Sequence, residues 1–206
     1  MLSWFLAAAI VAQVEVERVV AVVNATPILA SDVELVELAS LLPRAPGEDD
    51  GTHRGTITEA LIDLALRWQD LDRSGLAART KPNLEAAWAA VVARAGGAEA
   101  LAQKLDAAGL PETLLRELVH RLATVEAYAA ARFGPFVRPT PQEVEAAYTT
   151  EVVAPLAAQG SDAPPLDQVR GQLEELLRQR KLAAEVERWT AELAARARIQ
   201  RYGWAK

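Results

Sequence analysis

The chain has 206 residues, of which 51% are hydrophobic and 24% are charged, and its formal net charge is −6. Because binding to phosphate groups needs a basic surface, this acidic balance excludes nucleic acid as the main partner. The sequence contains no cysteine, which excludes disulfides, thiolate metal sites and a cysteine nucleophile. Its apolar residues are mainly alanine and leucine, which lose least on entering a helix, and a mainly α fold is therefore expected.

Residues 1–12 form an apolar block that ends in small side chains, as in a secretory signal peptide. We expect cleavage near Ala12 or Ala9, although no Lys or Arg precedes the block. The alternative is an apolar helix that stays attached. A bilayer span needs about 20 apolar residues, so no stable membrane insertion is expected in either case.

Residues 14–23 are rich in valine and are followed by the turn-forming sequence NATP (24–27), which predicts a short β-hairpin. The turn contains alanine and proline but no glycine, so a turn wider than two residues is expected. Ser31 and Glu34 have the spacing of a capping box. This spacing predicts a helix that begins at Ser31 and runs to about Leu42.

Residues 43–55 are rich in Pro, Gly and Asp, which predicts a loop. Beyond the loop, apolar residues recur at intervals of three and four, the spacing of amphipathic helices. Capping residues, prolines and glycines then set the predicted bounds of these helices. They are expected at about 56–74, 82–95, 98–108, 111–133, 140–148 and 167–197. An edge strand is expected at 198–202.

The residues that usually carry catalysis are scarce in this chain. His53 in the polar loop and His120 in a helix are its only histidines, and neither has the spacing of a metal ligand pair. Phosphate-loop, dinucleotide and nucleophile-elbow motifs are missing. Trp68, Trp88 and Trp189 lie on helical stripes, which favours core packing. We therefore expect a protein that is not an enzyme and has no catalytic residues, metal or cofactor.

Four stretches of the sequence match the motifs of a known family. In chain order they are VVAVVNATPILASDV (19–33), EALID (59–63), AAGL (107–110) and PTPQEVE (139–145). With these motifs and an exported N-terminus, the chain resembles the SurA/PrsA/PpiD family of periplasmic chaperones. The resemblance covers nearly the whole mature chain.

The resemblance implies a mainly α, SurA-like chaperone core with a short N-terminal β-hairpin and about six to seven helices. A long C-terminal helix and an edge strand are expected to fold back onto the N-terminal region. Relatives insert a parvulin isomerase domain before the last helix, but the segment available here is too short to fold one. The predicted divisions are a signal peptide (1–12), a SurA-like N-terminal region (13–148), a linker replacing the parvulin domain (149–166) and the returning helix and strand (167–206).

The resemblance also implies an ATP-independent periplasmic holdase whose partners are unfolded or outer-membrane polypeptides. The candidate peptide-binding residues are large apolar side chains outside the best helical stripes or beside loops, and for each of them an ordinary core position stays open: Leu76, Val92, Leu115, Phe133, Phe136 and Leu156. Two other functions stay open, a structural or assembly subunit with a fixed protein partner and a peptidyl-prolyl isomerase with a reduced site. A homodimer formed by exchange of the C-terminal helices also stays open.

Overall fold

The structure is a computed structural model that describes residues 17–204. The predicted signal peptide (1–12) and its cleavage near Ala12 or Ala9 lie outside the described residues. Within residues 17–204 the fold is mainly helical with one small antiparallel sheet at the N-terminal end, and this confirms the predicted fold class.

The bounds of the helices follow the predicted order along the chain. They are α1 Ala30–Leu38, α2 Asp50–Arg73, α3 Leu84–Arg94, α4 Ala98–Ala107, α5 Glu112–Phe133, α6 Pro141–Ala147, α7 Ala154–Ala158 and α8 Leu166–Ala194. A π-helical segment, Tyr148–Val153, joins α6 to α7 without a break, so seven separate helices lie between residues 17 and 204. The strands are β1 Val19–Val23, β2 Thr26–Leu29 and β3 Ile199–Arg201.

The hairpin between β1 and β2 closes with a two-residue turn. Val23 lies opposite Thr26, so the prediction of a wider turn is wrong. Asn24 adopts a φ of 58°, a left-handed conformation that asparagine tolerates better than most residues. Its side chain stabilises the turn, because Nδ2 donates to Gln69 Oε1 at 2.7 Å and Oδ1 accepts from the Arg198 amide at 3.0 Å.

The first helix begins and ends earlier than the capping box predicts. The Leu29 amide donates to Asp32 Oδ2 at 2.8 Å, so Leu29 is the cap and Ser31 lies inside α1. Strand β2 runs directly into α1, and the extended conformation of Leu29 suits the position before a helix. The helix stops near Ser40, which has a φ of 51°, rather than at Leu42.

The predicted loop 43–55 is correct only for its first half. Helix α2 begins at Asp50, and the Asp49 carboxylate accepts from the Thr52 amide at 3.1 Å. His53 therefore belongs to α2, not to a loop, and it is buried beside Glu48, with Nδ1 3.1 Å from Oε2. An N-cap of this type stabilises a helix by about 1 kcal/mol, which offsets part of the cost of the two glycines in the first turns of α2.

The C-terminal segment folds back onto the N-terminal region, as predicted. Strand β3 pairs antiparallel with β1, giving the order β2-β1-β3. Arg201 donates to both carboxylate oxygens of Glu59 in α2, at 2.6 and 2.7 Å. Trp189 of α8 donates from Nε1 to Asp70 Oδ2 at 3.3 Å. The N-terminal hairpin, α8 and β3 therefore pack together around α2.

The main core lies between the sheet, helices α1 to α5 and the last turns of α8. Its largest fully buried side chains are Leu35, Ile57, Ile62, Leu71, Leu101 and Leu115. The three tryptophans expected in the core pack against it as half-buried side chains, which confirms that prediction. Among the helices of residues 17–204, none has both the length and the apolar character required to cross a bilayer.

Candidate functional site

The most exposed large apolar side chain between residues 17 and 204 is Phe136, which is 83% exposed. It ends a 3-10 turn, Gly134–Phe136, that directly follows α5. Pro135 has no amide to extend the α-helical ladder and restricts φ in this turn. Val137, the next residue, is buried. The chain is therefore fixed on both sides of Phe136 while the aromatic ring itself stays in solvent.

Aromatic side chains from α5 and α8 lie beside this turn. The ring centroid of Phe133 is 6.0 Å from that of Trp189, and the centroid of Tyr128 is 5.6 Å from that of Trp189. Tilted pairs at these distances add about 0.5–1.5 kcal/mol beyond the area they bury. The Phe133 ring forms an apolar floor beside the turn, and Trp189, which is also held by Asp70 of α2, supports it.

Charged side chains surround the aromatic floor. Arg132, Phe133, Phe136, Glu185 and Arg188 line an open hollow of about 400 Å³ between the end of α5 and the middle of α8, which we call the Phe136 hollow. Arg188 makes an ion pair with Glu185 three residues earlier on α8. The Arg132 guanidinium lies 5.5 Å from the centre of the Phe133 ring, a cation–π contact. The hollow thus combines apolar and cationic surface.

A helical arm with a separate apolar cluster follows the main core along the chain. The arm consists of residues 141–158 and the first half of α8, residues 166–177, and it has a small apolar cluster of its own, formed by Val144, Ala147 and Leu173. Tyr148 Oη donates to the Pro164 carbonyl at 2.8 Å and so ties the two halves together. Because α8 has 29 residues, or about 43 Å at 1.5 Å per residue, one rigid helix connects the arm to the core.

Glu143 and Lys181 join the start of the arm to α8. Lys181 Nζ lies 2.8 Å from the Glu143 carboxylate and 3.3 Å from the Arg138 carbonyl. Glu143 also accepts from the Thr140 amide at 2.7 Å, which completes a capping box at the start of α6. The hydrogen bond from Lys181, followed by the one from the Thr140 amide, lowers the pKa of the Glu143 carboxyl from 4.5 to about 2.

The lowered pKa of Glu143 predicts an acid-sensitive arm. A carboxyl whose pKa is lower in the folded state contributes stability above its unfolded pKa and loses it as the pH falls through its folded pKa. We therefore expect hydrogen exchange in α6, corrected for intrinsic rates, to accelerate progressively between pH 4.5 and 2. At neutral pH, α6 should exchange faster in Glu143→Gln than in the wild type. At low pH the two proteins should exchange at the same rate. Glu145→Gln, an exposed position on the same helix, is the matched control, and equal behaviour of the two variants would contradict the prediction.

The structure brings together two of the six residues predicted to bind peptide. Phe133 and Phe136 both line the Phe136 hollow. Leu115 is 0% exposed in the main core and is not available to a client. Leu76 and Val92 are half-buried and pack against the same core, and Leu156 is a half-buried residue of α7. The hollow is therefore the one place where the predicted site has a counterpart.

Sequence reasoning missed the charged half of the hollow. Arg132, Glu185 and Arg188 line it, but 53 positions separate Arg132 from Glu185 and no local pattern connects them. The available signal was the spacing of Glu185, Arg188 and Trp189, which share one face of a helix. Within the described part of the chain, no group of three or more His, Asp or Glu side chains is placed to hold a metal ion.

No protein-family model matches this chain, and no curated protein matches it. Membership of the SurA/PrsA/PpiD family therefore stays a prediction based on the four motifs. The mainly helical fold with a returning C-terminal strand rests on the structure itself.

Proposed function

We propose that this protein is an ATP-independent periplasmic chaperone of the SurA/PrsA/PpiD type, a holdase that binds unfolded polypeptides and has no isomerase domain. The observation that carries the proposal is the Phe136 hollow, where an aromatic ring that is 83% exposed stands beside a fixed aromatic floor. Adjoining exposed apolar side chains often mark a site of interaction. A client segment that passes through the hollow would cover Phe136 and Phe133 together.

The energy needed for such binding sets the size of the contact. A micromolar dissociation constant requires about 8 kcal/mol of net free energy. At roughly 25 cal/mol per Å² this is roughly 330 Å² of apolar area before the costs of ordering the client are added. Burying one phenylalanine removes about 150–250 Å². Phe136 therefore supplies a large share, and the rest must come from the floor and the surface around it.

A fixed protein partner fits the surface less well than a changing set of clients. Stable interfaces bury about 1,200–2,000 Å², which calls for a continuous apolar face. The exposed large apolar side chains of residues 17–204 lie instead on different elements, at Val19, Leu84, Leu114, Phe136, Leu176 and Tyr202. One small hollow with flexible arginines at its edge suits weak, reversible and unselective binding.

The proposal is tested by suppression of aggregation without ATP. The protein at equimolar concentration or below is expected to keep a denatured outer-membrane protein soluble, as measured by light scattering. Phe136→Ser should weaken client binding by about tenfold to a hundredfold, because burying a phenylalanine contributes about 1.5–3 kcal/mol. Tyr202→Ser is the control, since Tyr202 is a second exposed aromatic residue, at 60%, outside the hollow.

Two results would contradict the proposed function. The first is a folded wild-type protein that fails to suppress aggregation at any ratio. The second is equal activity of Phe136→Ser and the wild type, which would move client binding away from the hollow. A protease-coupled proline assay separates the isomerase alternative, and we expect no acceleration in it.

A further inference from the structure

The positive charge at the Phe136 hollow is only partly balanced. Arg188 is paired with Glu185, whereas Arg132 makes no ion pair within residues 17–204. The polar contact of Arg132 is with a neutral group, Tyr128 Oη, at 3.4 Å. Its charge otherwise faces the ring of Phe133. The hollow therefore has one excess positive charge next to its aromatic floor.

Several arginines on the exposed faces of α5 and α8 are neutralised locally. Arg116 pairs with Glu112, Arg121 with Glu117, and Arg178 with Glu175, each within one turn of the same helix. Arg132 differs from them because residues 128 and 129, one turn earlier, are Tyr and Ala. Within residues 17–204, Arg132 thus places a cation without an ion pair beside Phe133 and the exposed Phe136.

We propose that the Phe136 hollow selects client segments in which a large apolar side chain lies next to a carboxylate. This inference rests on the proposed holdase function and names the class of segment that the same site prefers. The apolar side chain would pack on Phe136 and Phe133 while the carboxylate accepts from the Arg132 guanidinium. Hydrogen bonds between ionised groups are stronger than neutral ones, and nearby apolar surface reduces their screening by water.

Basic segments are disfavoured by the same arrangement. The acidic side chain of the hollow, Glu185, is already engaged by Arg188. A lysine beside the apolar anchor would therefore meet the charge of Arg132 without compensation. Because the site is open to solvent, the selectivity is modest and decreases as salt screens the charges.

Arg132 also has a structural explanation that makes a different prediction. It lies in the last turn of α5, where a cation is stabilised by the helix dipole. That role affects the stability of the helix and leaves the charge preference of bound peptides unchanged. The two roles are separated by comparing peptides of different charge on one variant.

The test uses three fluorescent peptides with the same length and the same leucine and phenylalanine positions, flanked by Glu, Gln or Lys. Their binding to the full folded chain is measured by anisotropy. We expect the wild type to bind the Glu peptide about three- to tenfold more tightly than the Gln peptide, with the Lys peptide weakest. Arg132→Gln should abolish this order, whereas Arg79→Gln, an exposed arginine of the 3-10 turn Ala77–Arg79, should preserve it. The preference should shrink at 0.5 M salt, a concentration at which the Debye length is only about 4 Å.

Each other outcome overturns one of the two proposals. If the wild type binds all three peptides equally, or if Arg132→Gln keeps the order while losing thermal stability, the charge selection is wrong and the holdase function stands. If no peptide binds and aggregation is not suppressed, the proposed function itself fails.

Discussion

Replacing Leu115 with alanine is expected to lower the free energy of unfolding by about 2–5 kcal/mol. The side chain is 0% exposed, and close-packed surroundings collapse only partly around the space that it leaves. Leu114→Ala is the matched control, because Leu114 precedes it on the same helix and is 40% exposed. For Leu114→Ala we expect about 0.5 kcal/mol. Urea unfolding followed by circular dichroism measures both.

This comparison also decides the role of Leu115 in client binding. A buried core residue should leave the affinity per folded molecule unchanged when it is shortened. If Leu115→Ala were no less stable than Leu114→Ala, or if it lost client affinity while remaining fully folded, then the placement of Leu115 in the core would be wrong.

The elements that could be predicted from the sequence are those determined by neighbouring residues. The Thr140 capping box is one example, with the Thr140 hydroxyl accepting from the Glu143 amide at 3.3 Å. Gly109 is another, because it takes a φ of 67° at the end of α4, where a residue with a side chain would be strained. Each signal involves residues within one helical turn, so the helix end can be predicted without knowledge of tertiary contacts.

The starts of α1 and α2 could not be predicted, because each offers several competing caps. Near α1, Ser31 and Asp32 can both accept a backbone hydrogen bond. Strand β2 leads directly into Leu29, which becomes the cap and donates its amide to Asp32. Near α2, the choice of Asp49 follows from the burial of His53 and Ile57 in the next turn. Tertiary packing decided between local alternatives in both places.

The segment assigned to a linker shows a different limit. Residues 149–158 are helical, and only 159–165 are not. Pro155 cannot donate a backbone hydrogen bond and displaces the carbonyl one turn before it, which predicts a break. The structure instead widens the helix to a π-helical form over Tyr148–Val153, an accommodation known for interrupted helices. Packing of Tyr148 and Val152 on α8 retains the helix.

The candidate site was predictable only in its aromatic half. Phe133 and Phe136 stood out because they flank the Gly134-Pro135 break at the end of α5. Their exposure differs from that of Leu115, although all three met the same sequence criterion. What separates them is the course of α8, which buries one side of the α5 terminus and leaves Phe136 free. That course is set by contacts between residues more than 50 positions apart.

Trp189→Ala is expected to lower the free energy of unfolding by about 3 kcal/mol, the low end of the range for deleting a large aromatic, since Trp189 is half-buried. This one side chain joins α8 to two other helices: it packs on Tyr128 and Phe133 of α5 and donates to Asp70 of α2. Its loss should loosen the attachment of α8 to the core. Urea unfolding monitored at 222 nm and hydrogen exchange in 186–194 measure the effect.

Trp189→Phe separates ring packing from the hydrogen bond. It keeps most of the aromatic contact and removes only the indole donor to Asp70, so we expect a loss of about 1 kcal/mol in the free energy of unfolding.

Hydrogen exchange in the arm at 166–177 should stay near the wild-type rate in both Trp189 variants, because Val144, Ala147 and Leu173 form a separate cluster. Since Trp189 also supports the floor of the Phe136 hollow, Trp189→Ala should bind clients more weakly even where it is folded. If the arm and the end of α8 loosened equally, the two clusters would be one cooperative unit, which would contradict their separate packing.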